Sequence, residues 1–177
     1  MGSGIDKEKN TVTKVLNLLR NRKLLNNQNF KINIKKNIPH GSGLGGGSSN
    51  AGSLLNFFNS KMHLNLTNEE MNRIASKVGY DTPVILKKKN TFLTGLKGEF
   101  LKLEQKFNLN ILIVFPNIIC STKKIYQKNK KFTHLKLQSS FNIKKKNQLI
   151  KFLKQDSNDL EKTVTQLYPR IKKIINL

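Results

Sequence analysis

The chain has 177 residues and a formal net charge of +23, from 33 lysines and arginines against 10 aspartates and glutamates. That length is enough for one domain and part of a second, and the single cysteine, Cys120, excludes an internal disulfide. Cysteine and the three histidines show no metal-ligand spacing, so we predict a reducing, cytoplasmic location and no structural metal. No apolar stretch approaches the roughly 20 residues that cross a bilayer, so no membrane partner is expected.

The positive charge suggests a polyanion partner, and a non-catalytic basic module that binds nucleic acid is the alternative reading of this sequence. Composition argues against it. Lysine supplies nearly all the cations, asparagine and isoleucine are also abundant, and no aromatic residue is interleaved with arginine. A biased composition therefore accounts for most of the charge.

The first predicted element is a helix. Asn10 or Thr11 can cap a helix with one apolar stripe, whose members lie at i, i+3, i+4 and i+7: Val12, Val15, Leu16 and Leu19. Alternation then predicts a strand with Phe30, Ile32 and Ile34 on one face. After the glycine-rich segment, a second helix is predicted from Asn50, with an apolar side formed by Ala51, Leu54, Leu55 and Phe58.

Capping residues predict a third helix. Thr67 and Glu70 have the spacing of a capping box for a helix through Val78, and Gly79 is expected to end it in a left-handed conformation. Short strands are predicted at Val84–Leu86, Thr91–Leu93 and Leu109–Phe115, with Pro116 breaking the last one. Helices are predicted at Ser121–Tyr126, Gln148–Leu153 and Asn158–Ile175, the last kinked near Pro169.

Strands and helices do not alternate regularly, which favours the α+β class over a doubly wound sheet. A domain boundary is predicted near Phe107, which gives domains at residues 1–106 and 107–177.

Six of the eleven glycines fall between Gly41 and Gly52. Glycines let successive N–H groups face one anion, and the following helix N-terminus adds partial positive charge, so this segment is predicted to bind phosphate. A flexible linker is the plain alternative, but a linker has no reason to lie between a strand and an apolar helix. The segment has no lysine at its end, as the ATPase P-loop requires. Glu69 and Glu70 lie in a capped helix, where the dinucleotide motif needs a strand end.

The run from Pro39 to Asn50 resembles the second motif of the GHMP kinase superfamily, which includes galactokinase, homoserine kinase and mevalonate kinase. The later residues 79–84, Gly-Tyr-Asp-Thr-Pro-Val, resemble the branch that works in non-mevalonate isoprenoid synthesis. The likeness is strong from Lys35 to Gly98 and thin after Lys128. Departures from the pattern occur in the loop and around the aspartate, at His40, Ser42, Tyr80 and Thr82.

The resemblance implies a partial ribosomal protein S5 domain 2-like N-terminal domain, followed by part of a ferredoxin-like domain. It implies transfer of the γ-phosphate of ATP, with Mg²⁺, to the 2-hydroxyl of a cytidyl-diphosphate sugar alcohol by a monomer or homodimer.

Residue roles also follow from the resemblance. Asp81 matches the catalytic aspartate, although without the loop it would read as a turn or cap residue. Asn10 matches a residue near the nucleotide pocket, and Ser48 or Ser49 is the expected contact to metal or phosphate, with Ser48 taken for Mg²⁺. The loop residues implied to bind the nucleotide are Pro39, His40, Gly41, Ser42, Gly43, Leu44, Gly45, Gly46, Gly47, Ser48, Ser49 and Asn50.

The same resemblance implies segments that the sequence lacks. They are an N-terminal strand with a lysine partner for Asp81 and residues that hold the cytidine, and a third glycine-rich motif beyond Leu177. We therefore expect both ends to be truncated. Such a fragment would keep ATP affinity from the loop but fail at chemistry, because Asp81 would lack its lysine and the acceptor its pocket.

Overall fold

A computed structural model of the chain describes residues 10–39, 42–87, 89–94, 99–103, 105–118, 120–133 and 143–177. In these ranges the chain forms eight helices and one antiparallel pair of strands. It divides into an N-terminal unit, Met1–Lys102, and a C-terminal unit, Leu103–Leu177. No helix in the described part of the chain is long and apolar enough to span a membrane.

The N-terminal unit contains four helices and the strand pair. The helices are α1 (Thr11–Asn21), α2 (Gly46–Lys61), α3 (Asn68–Val78) and α4 (Thr82–Leu86). The strands β1 (Thr91–Thr94) and β2 (Glu99–Lys102) pair antiparallel, with Thr91 opposite Lys102. Helices α1, α2 and α3 pack against one another, and α4 packs on α2 and α3.

The starts of α1 and α3 are fixed by the predicted caps. Oδ1 of Asn10 accepts hydrogen bonds from the N–H groups of Val12 and Thr13 at 2.9 and 3.0 Å. Thr67 and Glu70 form the full capping box, since each side chain accepts from the other's backbone N–H, at 3.2 and 2.9 Å. These bonds satisfy N–H groups that a helix start otherwise leaves unpaired.

One apolar cluster joins the helices of this unit. Its buried members are Val15, Leu19, Leu25, Ala51, Leu55, Phe58, Met71, Ile74, Ala75 and Val78. Phe30 packs edge-on against Phe58, with ring centroids 4.9 Å apart. Burial of each large side chain contributes about 1.5–3 kcal/mol, so this cluster is the main stabilising feature of the unit.

The C-terminal unit contains α5 (Thr122–Lys128), α6 (Lys146–Gln155), α7 (Glu161–Leu167) and α8 (Pro169–Ile175). Helix α7 packs on α5 and on α8. The predicted helices are confirmed, as is the break near Pro169, because Tyr168 has the non-helical φ and ψ of −134° and 79°. The N-cap of α5 is Ser121, whose Oγ accepts from Lys124 N–H at 3.3 Å.

Two predicted strands are wrong for one reason. Residues 30–34 and 109–115 form no strand, and the only paired strands in the described ranges are β1 and β2. Alternation or β-branched content marks a chain that suits a sheet, but a strand also needs a partner that supplies backbone hydrogen bonds. The strand at Thr91–Leu93 is confirmed because β2 supplies that partner; β2 itself was not predicted.

Three further predictions need correction. Val84–Leu86 lies in α4 and not in a strand, because Pro83 stands in the first turn, where proline favours a helix start. Gly79 is extended, with φ of −179°, and not left-handed, because the chain turns there and its carbonyl accepts from Thr82 N–H at 3.1 Å. Helix α2 begins at Gly46, within the glycine run, and not at Asn50.

The described residues are mostly helical, with one strand pair as the β component. The ferredoxin-like part and the boundary at residues 106 and 107 stay predictions.

Candidate functional site

The glycine run enters α2 through a left-handed turn. Gly43 and Gly45 have φ of +75° and +66°, a conformation that costs other residues roughly 1–2 kcal/mol. Gly45 is the N-cap of α2 and, as a glycine, makes no side-chain cap hydrogen bond. Its carbonyl accepts the N–H of Ser49 at 2.8 Å, the first bond of the helix. The N–H groups of the first turn therefore face the loop without a cap from the N-cap residue.

Charge at this helix start favours an anion. The first turn of α2 contains no acidic residue. Nζ of Lys36 lies 3.9 Å from the position that a Cβ of Gly46 would occupy. The lysine adds a full positive charge to the partial charge of the helix N-terminus, which is the arrangement that binds phosphate groups.

Lys36 was not among the predicted site residues. One lysine among 33 basic residues carries no distinguishing signal in the sequence. Its position just before the loop was the only clue, and that position became informative only when the fold brought Nζ to the start of α2.

Helix α1 begins beside the same turn. Oγ1 of Thr11 donates a hydrogen bond to the carbonyl of Gly47 at 2.8 Å. The start of α1 is thereby fixed against the first turn of α2. Asn10 is adjacent to Thr11, and its side-chain oxygen caps α1. The structure thus places Asn10 near the loop and gives its oxygen a structural role.

Asp81 lies in the turn between α3 and α4. The residue is exposed, and it occupies the N-cap position of α4 without making a side-chain cap hydrogen bond. The turn is held by its backbone, because Gly79 N–H donates to Ala75 and Thr82 N–H donates to Gly79. Helix capping therefore does not use the Asp81 carboxylate, so this carboxylate can interact with another group.

The turn that carries Asp81 packs on the start of α2. A Cβ on Gly79 would lie 3.9 Å from Oγ of Ser48, and a Cβ on Gly52 would lie only 3.0 Å from Cγ2 of Ile85. Gly52 thus permits the close approach of α4 to α2. Through this contact Ser48 lies beside Gly79, two residues before Asp81.

The other predicted loop residues differ in their surroundings. Gly46, Gly47 and Ser48 form the first turn of α2, while Pro39, Leu44 and Ser49 are exposed. Ser42 is half-buried, and its Oγ lies 3.5 Å from Leu44 N. Asn50 is half-buried within α2. His40 and Gly41 lie outside the described residues. In the described ranges no group of three or more His, Cys, Asp or Glu side chains is placed to hold a metal ion.

Comparison with known proteins identifies the class. Residues 10–87 match the family described as GHMP kinases N terminal domain. This match covers α1 to α4, the loop and the Asp81 turn. The region therefore belongs to the GHMP kinase N-terminal domain family, and the resemblance predicted from the loop is confirmed.

The curated relatives narrow the likeness to one enzyme, 4-diphosphocytidyl-2-C-methyl-D-erythritol kinase. The chain is 39% identical to the one from Pelagibacter ubique over 166 residues, which are 93% of this chain and 57% of the relative. It is 37% identical over 170 residues to that of Caldanaerobacter subterraneus subsp. tengcongensis, covering 94% and 58%. The kinase from Sulfurihydrogenibium sp. is 36% identical over 177 residues, covering 95% and 62%. The chain spans about three fifths of the length of these relatives, and nothing in the comparisons supports nucleic-acid binding.

Proposed function

We propose that the N-terminal unit binds Mg-ATP with the phosphates against the start of α2. We further propose that the protein transfers the γ-phosphate to the 2-hydroxyl of 4-diphosphocytidyl-2-C-methyl-D-erythritol. The observation that carries this proposal is the packing of the Asp81 turn on the first turn of α2, beside Ser48. The turn that carries a carboxylate free of capping thereby lies beside the helix start that we propose binds phosphate.

Phosphate binding follows from the first turn of α2. Its uncapped N–H groups donate to phosphate oxygens, and the left-handed Gly43 and Gly45 let the backbone approach them closely. Lys36 contributes a positive charge from the segment before the loop. These three features suit the phosphate groups of ATP.

The residues fit Mg²⁺ held jointly with the nucleotide. Mg²⁺ binds hard oxygen ligands and is usually retained through phosphate oxygens, water and one or two protein groups. The Ser48 hydroxyl at the start of α2 is the protein group suited to this. Bound Mg²⁺ supplies neutralisation of the charge that develops on the transferred phosphoryl group.

Asp81 is the proposed catalytic residue. Its carboxylate accepts the proton of the substrate 2-hydroxyl as that oxygen bonds to the γ-phosphorus. The bond from the γ-phosphorus to the bridging oxygen breaks, and ADP leaves. The N–H groups of α2 and Lys36 hold the phosphates in line during this transfer.

Calorimetric titration of the chain with Mg-ATP tests the binding step. We expect Lys36→Ala to weaken binding by about tenfold, which is the loss of roughly one charge-assisted hydrogen bond. Asp81→Asn should bind within about twofold of the wild type, because the carboxylate acts on the acceptor. Any ADP release that the wild-type chain shows with the cytidyl-diphosphate substrate should be lost in Asp81→Asn.

Duplex DNA at moderate salt is the comparison ligand. Tight, salt-sensitive binding of DNA together with no binding of Mg-ATP would contradict the proposal and favour the basic module.

A further inference from the structure

Thr82 has a buried hydroxyl that the proposed reaction does not use. The side chain is fully buried, and Oγ1 has no hydrogen-bond partner among the described residues. An unpaired buried hydroxyl loses its bonds to water and gains nothing in exchange. Native structures contain few such groups, and each one calls for a physical explanation.

The other buried polar side chain of the described residues behaves in the usual way. Thr163, in α7, donates from Oγ1 to Oδ1 of Asn129 at 2.7 Å. The same residue type at similar burial is therefore paired in the C-terminal unit and unpaired in the N-terminal unit. Thr82 is the exception, and it directly follows Asp81.

The surroundings of Thr82 point to a partner. A Cβ on Gly79 would lie 3.4 Å from Oγ1 of Thr82 and 3.9 Å from Oγ of Ser48. The two hydroxyl oxygens thus border the same small space, which exists because residue 79 has no side chain. Ser48 belongs to α2, and Thr82 to α4, so a bond between them would join the phosphate-binding turn to the Asp81 turn.

We propose that Thr82 is a positioning residue whose hydroxyl pairs with that of Ser48 when Mg-ATP occupies the start of α2. If the Ser48 oxygen binds Mg²⁺, its O–H donates to Thr82. If the Ser48 O–H donates to a phosphate, its oxygen accepts from Thr82. Either bond fixes the Asp81 turn against the occupied loop. This inference rests on the proposed function.

Thr82→Val tests the role of the hydroxyl because valine has almost the same shape and no oxygen. In the unliganded chain we expect a melting temperature equal to or above that of the wild type, since an unpaired hydroxyl is removed. The Kd for Mg-ATP should rise by about 3- to 10-fold, the size of one hydrogen bond. Thr82→Ser, which keeps the hydroxyl, should bind Mg-ATP within about twofold of the wild type.

Thr163→Val is the matched control. It removes a hydrogen bond that the unliganded protein already makes. We expect it to lower stability in the C-terminal unit and to leave the Kd for Mg-ATP unchanged.

Gly79→Ala tests the same contact without removing either hydroxyl. The extended backbone at residue 79 accepts alanine, while the new methyl group would fill the space beside the two oxygens, 3.4 Å from Thr82 Oγ1 and 3.9 Å from Ser48 Oγ. It should weaken Mg-ATP binding as Thr82→Val does, and the double variant should be no weaker than either single variant.

If the wild type binds Mg-ATP, three results would overturn this inference and leave the proposed function standing. They are an unchanged Kd in Thr82→Val, a Thr82→Ser variant as weak as Thr82→Val, and a Thr82→Val variant destabilised without ligand in the way that Thr163→Val is. Failure of the wild type to bind Mg-ATP would overturn the proposed function and this inference together.

Discussion

The two units bury their apolar residues to very different extents. In the N-terminal unit, α1, α2 and α3 close around one cluster that includes the fully buried Leu19, Leu55 and Ile74. In the described part of the C-terminal unit, only Ile125 and Ile143 are buried hydrophobic residues. The apolar run at residues 111–115 is exposed there, and Leu112 is 88% exposed. An apolar sequence therefore forms a core only where other elements cover it.

This difference decides where a precise site can form. The start of α2 and the Asp81 turn both continue helices that are anchored in the cluster, through Ala51, Leu55 and Val78. Catalytic geometry needs groups held within a fraction of an ångström, and buried helices provide that rigidity. The C-terminal unit offers no comparable support among its described residues.

The largest expected effect is the loss of unfolding free energy when a large apolar side chain is truncated, and it should differ between the two units. Phe58→Ala should lower the free energy of unfolding of the N-terminal unit by about 3–5 kcal/mol, because it leaves a cavity beside Phe30. Leu112→Ala should change that of the C-terminal unit by less than about 0.5 kcal/mol, because the side chain is already exposed.

Amide hydrogen exchange in urea assigns each of these changes to its unit, which suits a chain without tryptophan. A loss above about 1 kcal/mol in Leu112→Ala would show that residues 111–115 are covered in solution, and the contrast between the units would fail.

A smaller loss of stability is expected from a substitution that tests the backbone conformation of the loop. Gly45→Ala should destabilise the start of α2 by about 1–2 kcal/mol, since its positive φ disfavours a side chain although nothing lies within 4 Å. Gly46→Ala is the control at the next position, where the backbone is helical and the nearest atom is Nζ of Lys36 at 3.9 Å. It should be neutral or stabilising by up to about 1 kcal/mol. Equal effects of the two substitutions, measured by urea unfolding, would contradict the strained turn.

The smallest effect compares one carboxylate from each unit. The hydroxyl and then the N–H of Thr133 bind the Asp159 carboxylate and hold its pKa below the usual 3.8. In the capping box the two causes have the reverse order of importance: the Thr67 N–H, and after it the Thr67 hydroxyl, lower the pKa of Glu70 from 4.5. Thr133→Val should therefore raise the pKa of Asp159, and Thr67→Val should raise that of Glu70.

The direction of these shifts also sets their dependence on pH. Because the pKa of each carboxyl is lower in the folded state, its stabilising contribution is complete above the unfolded value. It is lost as the pH falls through the lower folded value. Carboxyl carbon NMR titration measures both groups, and an unmoved pKa of Asp159 in Thr133→Val would exclude its hydroxyl as the cause.

The sequence predicted those elements whose causes are local. Helices α1 and α3 were predicted because a capping residue and the apolar spacing both lie within the segment. The strands at residues 30–34 and 109–115 were predicted wrongly because pairing depends on a distant segment. Val84–Leu86 was too short for its pattern to distinguish a strand from a helix, and the turn at Gly79 was set by its bond to Thr82.

For the site, the glycine run alone indicated a phosphate loop and its family. The start of α2 inside that run was missed because glycine is a weak helix former. In the fold this first turn packs on α1, and the Gly47 carbonyl accepts a hydrogen bond from Thr11. The sequence by itself therefore determined the capped helices, the glycine loop and the class of kinase domain. Only the tertiary structure decided that Lys36 lies at the start of α2 and that the Asp81 turn lies beside Ser48, because the packing of α4 on α2 across Gly52 joins segments that no local pattern relates.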